Sequence, residues 1–217
     1  MAKVILFGTG SFGQLARFYF ERDSEHEVVA YTVDAPEHDE FEGLPLISFA
    51  DIANRLPPGE HAMFVAVAYG RVNRTRAEIC GRARALGYEL VSYVSSKATH
   101  WGDTVLGDNC FIFEDNTVQP FVTIGDGVVL WSGNHIGHHA TIGDYCFVTS
   151  QVVIAGHVRV GAYSFLGVNA TLRDGIEIGE ANVIGAGAII MHSTEDREVY
   201  VPQRTKLFPK KSDELGF

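Results

Sequence analysis

Through fourteen consecutive places from Leu106 to Ile184, every sixth residue of this chain is Leu, Ile or Val. A helix repeats its buried face near 3.6 residues and a half-buried strand every two, so a period of six belongs to neither. It instead puts one inward aliphatic on each face of a three-sided coil. Three hexads make one coil, and fourteen make between four and five coils. Glycine follows the aliphatic at Gly107, Gly125, Gly137, Gly143, Gly161, Gly167, Gly179 and Gly185, where a tight corner with positive φ is expected. Small or β-branched residues such as Val122, Val128, Ala140 and Ala170 dominate the fifth place. The stretch from about Leu106 to Ile189 is therefore expected to be a parallel β-helix.

Residues 1–93 read differently. Lys3 to Phe7 is a short buried strand, followed by Gly8-Thr9-Gly10-Ser11-Phe12-Gly13 and a helical stretch through Leu15, Ala16, Phe18 and Phe20. Val28 to Val33 reads as a second strand ending at Asp34, Phe49 to Leu56 as a helical turn and Met63 to Ala68 as a strand. Asn73 to Leu86 reads as a helix and Glu89 to Tyr93 as a last strand. Alternating strands and helices imply an α/β domain with a small parallel sheet. Residues 94–195 form the β-helix domain, its first coil imperfect between Val94 and Val105, and 196–217 a C-terminal tail.

In a strand-turn-helix setting the glycines have separate uses. Gly8 permits the turn, Gly10 and Ser11 let backbone approach a phosphate at the helix N-terminus, and Gly13 lets the helix pack close. Asp34 stands where a ribose hydroxyl or a base would be met. About four strands are too few for the two halves that a dinucleotide spans, so a nucleotide diphosphate fits better than a nicotinamide cofactor. The bland alternative is glycines that only make a turn. Arg71, Arg74, Arg76, Arg82 and Arg84 concentrate five of the 17 basic residues after a strand end, which makes Asn73 and Arg76 candidates for diphosphate or sugar contacts. Solvated helix surface is the alternative.

The net charge of −10 argues against nucleic-acid binding. No leader and no apolar run of about 18–20 residues is visible, so no membrane partner and a cytoplasmic location are expected. Cys80, Cys110 and Cys146 have no metal-ligand spacing. Cys110 and Cys146, two coils apart at ~4.8 Å per layer, stand ~9–10 Å from each other, too far for a disulfide.

Histidines carry the chemical signal of the repeats. His135, His138 and His139 cluster, and His157 follows His139 three hexads later, one coil on. His138 is expected to project outward beside a corner, with Gly156 and Asp174 in its column. A neutral imidazole can deprotonate an amine or hydroxyl attacking a thioester, and a bare N–H at Gly156 can meet the oxyanion. Histidines that decorate a solvated face are the alternative. No Cys or carboxylate completes a zinc ligand set with them, so no metal is expected.

A glycine-loop α/β domain followed by hexapeptide repeats resembles the sialic acid O-acetyltransferase and bacillosamine or perosamine N-acetyltransferase family of bacterial sugar acyltransferases. The likeness spans nearly the whole chain. Ser132 to Tyr145 is similar to the family's catalytic stretch, with His138 in the place of the general base. The resemblance implies a left-handed β-helix, a homotrimer, acetyl-CoA in the groove between neighbouring β-helices and a nucleotide-linked sugar on the N-terminal domain. Contacts to acetyl-CoA are expected at Gly156, Asp174, Ala186 and Lys206.

The chain departs from the pattern at His139, where the family has an acidic orienter, at Phe147, where some members have a second histidine, and at Tyr200 to Arg204. The expected activity is N-acetyl transfer to a nucleotide-linked amino deoxysugar, with His138 as base assisted by His139 and Gly156. O-acetylation of sialic acid or another sugar hydroxyl, a non-catalytic nucleotide-sugar-binding protein and a zinc β-helix enzyme are the alternatives.

Overall fold

The computed structural model describes residues 1–102 and 104–216, and in it an α/β layer leans on one face of a three-sided β-helix. The N-terminal elements are β1 (Lys3–Phe7), α1 (Ser11–Asp23), β2 (Glu27–Val33), β3 (Glu40–Phe41), β4 (Leu44–Ser48), α2 (Ile52–Arg55), β5 (His61–Val65) and α3 (Arg74–Ala85). Four strands run parallel in the order β4-β2-β1-β5, and β3 pairs antiparallel at the edge. The apolar runs of β1 and β5 are buried because both sheet faces are covered. Phe12, Ala16 and Phe20 of α1 pack on one side, and Ile52, Ile79 and Ala83 on the other.

Two strand readings change. Glu89 to Tyr93 is not the last strand of that sheet: Leu90 makes a single bridge to Met63, and Tyr93–Val94 already pairs with Phe111–Ile112 of the β-helix. The hairpin of β3 and β4, turned at Glu42 (φ 49°) and Gly43 (φ 77°), had no place in the sequence reading, because Pro45 interrupts the strand pattern.

The repeats form three parallel ladders of strands. Phe111–Ile112 in the first, Thr117–Val118 in the second and Thr123–Ile124 in the third make one coil, and each pairs with the residues three hexads on. Of the fourteen aliphatics all but Leu106 are buried, and Leu106 packs partly against the same core. The solenoid is a left-handed β-helix. Its last rung, Val199–Tyr200, lies in the stretch read from sequence as tail.

The glycines after the aliphatics do not have positive φ, contrary to expectation. Close stacking of coils requires them instead: a Cβ at Gly137 would stand 2.5 Å from the Gly156 nitrogen, and one at Gly161 2.6 Å from the Glu180 nitrogen. The left-handed corner falls two residues later, at Asn109, Phe121, His139, Tyr145, His157 and Tyr163 among others. Side chains at these corners repeat once per coil and stack, as Tyr145 does on Tyr163 with ring centroids 5.7 Å apart.

One face of the prism carries the N-terminal domain. Its outward places hold Phe111, Val129, Phe147 and Phe165, and Phe12, Tyr19, Phe20 and Phe64 pack in one cluster with them. Arg76 is fully buried at this joint, where its guanidinium donates to the carbonyls of Val67, Ala68, Gly127, Tyr145 and Cys146 and to Asn73 Oδ1. At the other end of the joint, Asp23 closes α1 onto the first coil by accepting from Tyr93 Oη, Ser95 Oγ and the Ser96 N–H. No helix among the described residues is long and apolar enough to cross a membrane.

Candidate active site

His138 stands at the corner between the second and third ladders, Ile136 ending one strand and Thr141 opening the next. In a three-sided coil that corner is the edge opposite the first face, and the first face is the one that the N-terminal domain covers. His138 is exposed and held by its backbone, whose N–H donates to Gln119 Oε1 (2.8 Å) and whose carbonyl accepts from the His157 N–H (2.9 Å). Its Nδ1 lies 3.1 Å from Nδ1 of His139. One ring must donate and the other accept, which fixes the tautomers as a pair.

The other edge of the His138 ring lies over Gly156. A Cβ there would stand 2.9 Å from His138 Cε1, 3.0 Å from Nε2 and 3.0 Å from Asp174 Oδ1. The bare α-carbon thus leaves room for the imidazole beside a backbone N–H that has no acceptor among the described residues. His138, Gly156 and Asp174 come together as their spacing of one coil each requires. His139 and His157 occupy successive left-handed corners (φ 61° and 60°) and stack at 4.8 Å with a 17° interplanar angle, and Phe121 joins the column against His139 at 4.7 Å. Ligating nitrogens of His138, His139 and His157 all lie within 4.8 Å of one another. His157, which the sequence places one coil after His139, is the third member of this group.

At the N-terminal site the glycine loop has the expected form. Gly8 has φ +114°, and a Cβ at Gly13 would stand 2.1 Å from the Gly8 oxygen, so α1 enters flush on β1. Gly10 caps α1 without a side-chain bond, and Ser11 is exposed. Beside them Thr9, Val33, Pro36, His38, Phe41 and Leu46 help line a groove of about 400 Å³ at the strands' C-terminal edge. Sequence reasoning named none of these six as site residues; the position of Pro36 and His38 two and four residues after Asp34 is the available signal. Asp34 is exposed, but both its carboxylate oxygens accept from Arg82, whose hydrogen bonds hold it below the usual carboxylate range.

The arginine concentration is not an anion site. Arg76 and Asn73 are completely buried, so neither can meet a diphosphate. Asn73 Nδ2 donates to the Tyr163 and Ser164 carbonyls, which ties the left-handed run Arg71, Val72 and Asn73 to the β-helix. Arg71 pairs with Glu78, Arg84 with Asp108 and Asp126, and Arg74 lies over the Tyr163 ring. Arg76, Arg84 and Arg74 serve docking because the first face offers carbonyls, carboxylates and a ring at its corners. Ala186 lies at a different corner of the prism from His138, and Lys206 on an exposed tail without regular structure. Burial pushes the thiols of Cys80, Cys110 and Cys146 up to about 12, which removes them as nucleophiles.

Two repeat families match the second half of the chain: bacterial transferase hexapeptide (six repeats) over residues 103–134 and 124–156, and the hexapeptide repeat of succinyl-transferase over 157–191. The β-helix thus carries the hexapeptide repeats that these transferase models describe. No curated protein matches the chain by sequence.

Among solved structures, the acetyltransferase domain of PglB from Neisseria gonorrhoeae is similar at 23% identity and a TM-score of 0.79, over 89% of this chain and 93% of that one. A mutant of perosamine N-acetyltransferase from Caulobacter crescentus, in complex with CoA and GDP-perosamine, is similar at 23% identity and a TM-score of 0.81, over 92% and 93%. WeeI from Acinetobacter baumannii follows at 18% and 0.72, over 90% and 94%. The chain shares the fold of these proteins over about nine tenths of its length.

Proposed function

We propose that this protein is an acetyl-CoA-dependent N-acetyltransferase acting on a nucleotide-linked amino deoxysugar. The observation that carries the reading is the His138 corner: an exposed imidazole, steadied by His139 and set against a free N–H at Gly156, on a hexapeptide transferase domain. In the reaction the sugar amine attacks the thioester carbonyl carbon while His138 Nε2 takes the amine proton. His139 Nδ1 accepts the His138 Nδ1–H and so keeps Nε2 free as the base, the part an acidic residue plays elsewhere. The Gly156 N–H donates to the oxyanion. Collapse expels the coenzyme A thiolate, which recovers the proton from His138, leaving an acetamido sugar and free thiol.

The nucleotide end sits on the N-terminal groove, with phosphates at the open N-terminus of α1. That groove and His138 lie on opposite sides of one prism, which supports an assembly in which a neighbouring copy brings its His138 corner to the sugar. A homotrimer with acetyl-CoA between adjacent β-helices meets this need, Gly156 and Asp174 lining the groove from one chain and Ala186 and Lys206 from the next.

The test is thiol release from acetyl-CoA with UDP-, GDP- and dTDP-linked 3- and 4-amino deoxysugars beside free sialic acid. Release with an amino sugar, reduced ~10²-fold or more in His138→Ala, is expected. Release with sialic acid alone would replace N- by O-transfer, and an unchanged rate in His138→Ala would remove it as the base.

A further inference from the structure

The three-histidine cluster exceeds what the transfer reaction needs. A base and its orienter are two imidazoles, yet His157 stands with them, and among the described residues neither the His157 ring nor the His139 ring has a hydrogen-bond partner outside the group. All three rings are exposed, so their rotamers can adjust. A tetrahedral zinc-like ion with Zn–N near 2.0–2.1 Å needs ligand nitrogens about 3.3 Å apart. His138 Nδ1 and His139 Nδ1, at 3.1 Å, already meet that spacing. Closing the third distance from the 4.8 Å limit takes rotation of the His157 ring. Phe121 closes one side of the column, and solvent leaves a fourth position for water.

We propose that His138, His139 and His157 of one chain bind a transition-metal dication of the zinc class, and that the ion switches the acetyltransferase off. Imidazole donors select zinc, nickel, cobalt or copper over magnesium and calcium. The ion takes the place of the proton that His138 and His139 share. With Nδ1 of His138 on the metal, the ring's one proton moves to Nε2, the atom that accepts the amine proton. The base is then occupied without any change of fold. This inhibition rests on the proposed role of His138, whereas the site itself does not.

The test has two arms on the purified full chain freed of metal with a chelator. In the first, cobalt(II) is titrated and its visible absorption followed. One equivalent per chain, with the intense bands of a four-coordinate ion, is expected, displaced by zinc. His157→Gln, which leaves His138 and His139 in place, should weaken binding by at least ~10-fold. Equal binding by wild type and His157→Gln, or no binding, overturns the site. In the second arm, zinc should abolish thiol release from the wild type at one equivalent, while His157→Gln keeps its basal rate and resists. Metal bound at one equivalent with undiminished thiol release overturns the switch, while the role of His138 as base is tested separately by His138→Ala.

Discussion

Replacing Gly156 by alanine separates the chemistry of the corner from its stability. Gly156 has ordinary φ, so alanine accepts its backbone, and the loss of unfolded-state freedom favours the variant by ~0.4–1 kcal/mol. The new Cβ, however, would stand 2.9–3.0 Å from Cε1 and Nε2 of His138, against a comfortable separation of about 3.5–4.0 Å. The imidazole is an exposed side-chain end and yields, moving by roughly 0.5–1 Å. Misplacement of a catalytic group by about 1 Å costs up to ~10²-fold, or ~2.7 kcal/mol of barrier. Because the Gly156 N–H survives, the loss reports the base and not the oxyanion donor.

The control is Gly137→Ala one coil earlier, whose Cβ would meet backbone, 2.5 Å from the Gly156 nitrogen and 2.6 Å from the Ala155 carbonyl carbon. Backbone cannot yield so cheaply, and overpacking should cost ~1–3 kcal/mol, several degrees of Tm. Thermal melts and thiol-release kinetics on both variants check the pair. Full activity in Gly156→Ala, or a Tm loss as large as that of Gly137→Ala, would refute the reasoning.

Three further outcomes follow from the joint between the domains and the base. Arg76→Met leaves five carbonyls and Asn73 without their shared donor, so a loss of ~3–5 kcal/mol and of roughly 6–20 °C in Tm is expected; a melt at the wild-type temperature would show the joint to be held by its aromatics alone. Hydrogen bonds from Ser96 and Tyr93 hold the Asp23 carboxyl down at about 2. A depressed acid stabilises above its unfolded value near 4 and loses that contribution as pH falls through about 2, so melts between pH 5 and 2 should fall less steeply for Asp23→Asn, from a lower start. His139→Asp, which restores an anionic acceptor for His138 Nδ1–H, should retain most of the thiol-release rate where His139→Ala loses it; equal rates in the two would show that His139 orients nothing.

The β-helix was legible because its core repeats: each inward residue meets the same neighbours one coil on, so a period alone determines which side faces in. The corners were misread for a related reason. Glycine after the aliphatic signals either positive φ or lack of space, and sequence cannot tell them apart; the structure gives lack of space at Gly137 and Gly161 and puts positive φ at His139 and His157. The docking of the N-terminal domain was written in the repeats as well, in Phe111, Phe147 and Phe165 at the outward place of one ladder while the other ladders carry mostly polar or β-branched residues there. Tracking the outward column coil by coil would have found that face.

Arg76 shows where such reading fails. A cation near a strand's C-terminal end suits a phosphate as well as a ring of carbonyls, and only the position of a second domain decides between them. Here the first face of the β-helix brings Gly127, Tyr145 and Cys146 carbonyls to the guanidinium, and burial pushes its pKa down without removing its six acceptors. The same fact bears on the active site. Arginines that bind the two domains of one chain together fix the N-terminal domain on the face opposite His138, so under the proposed function the joint would keep a chain from acetylating a sugar held in its own groove. In the proposed reaction, transfer by a neighbour's corner would then follow from how firmly each chain is built.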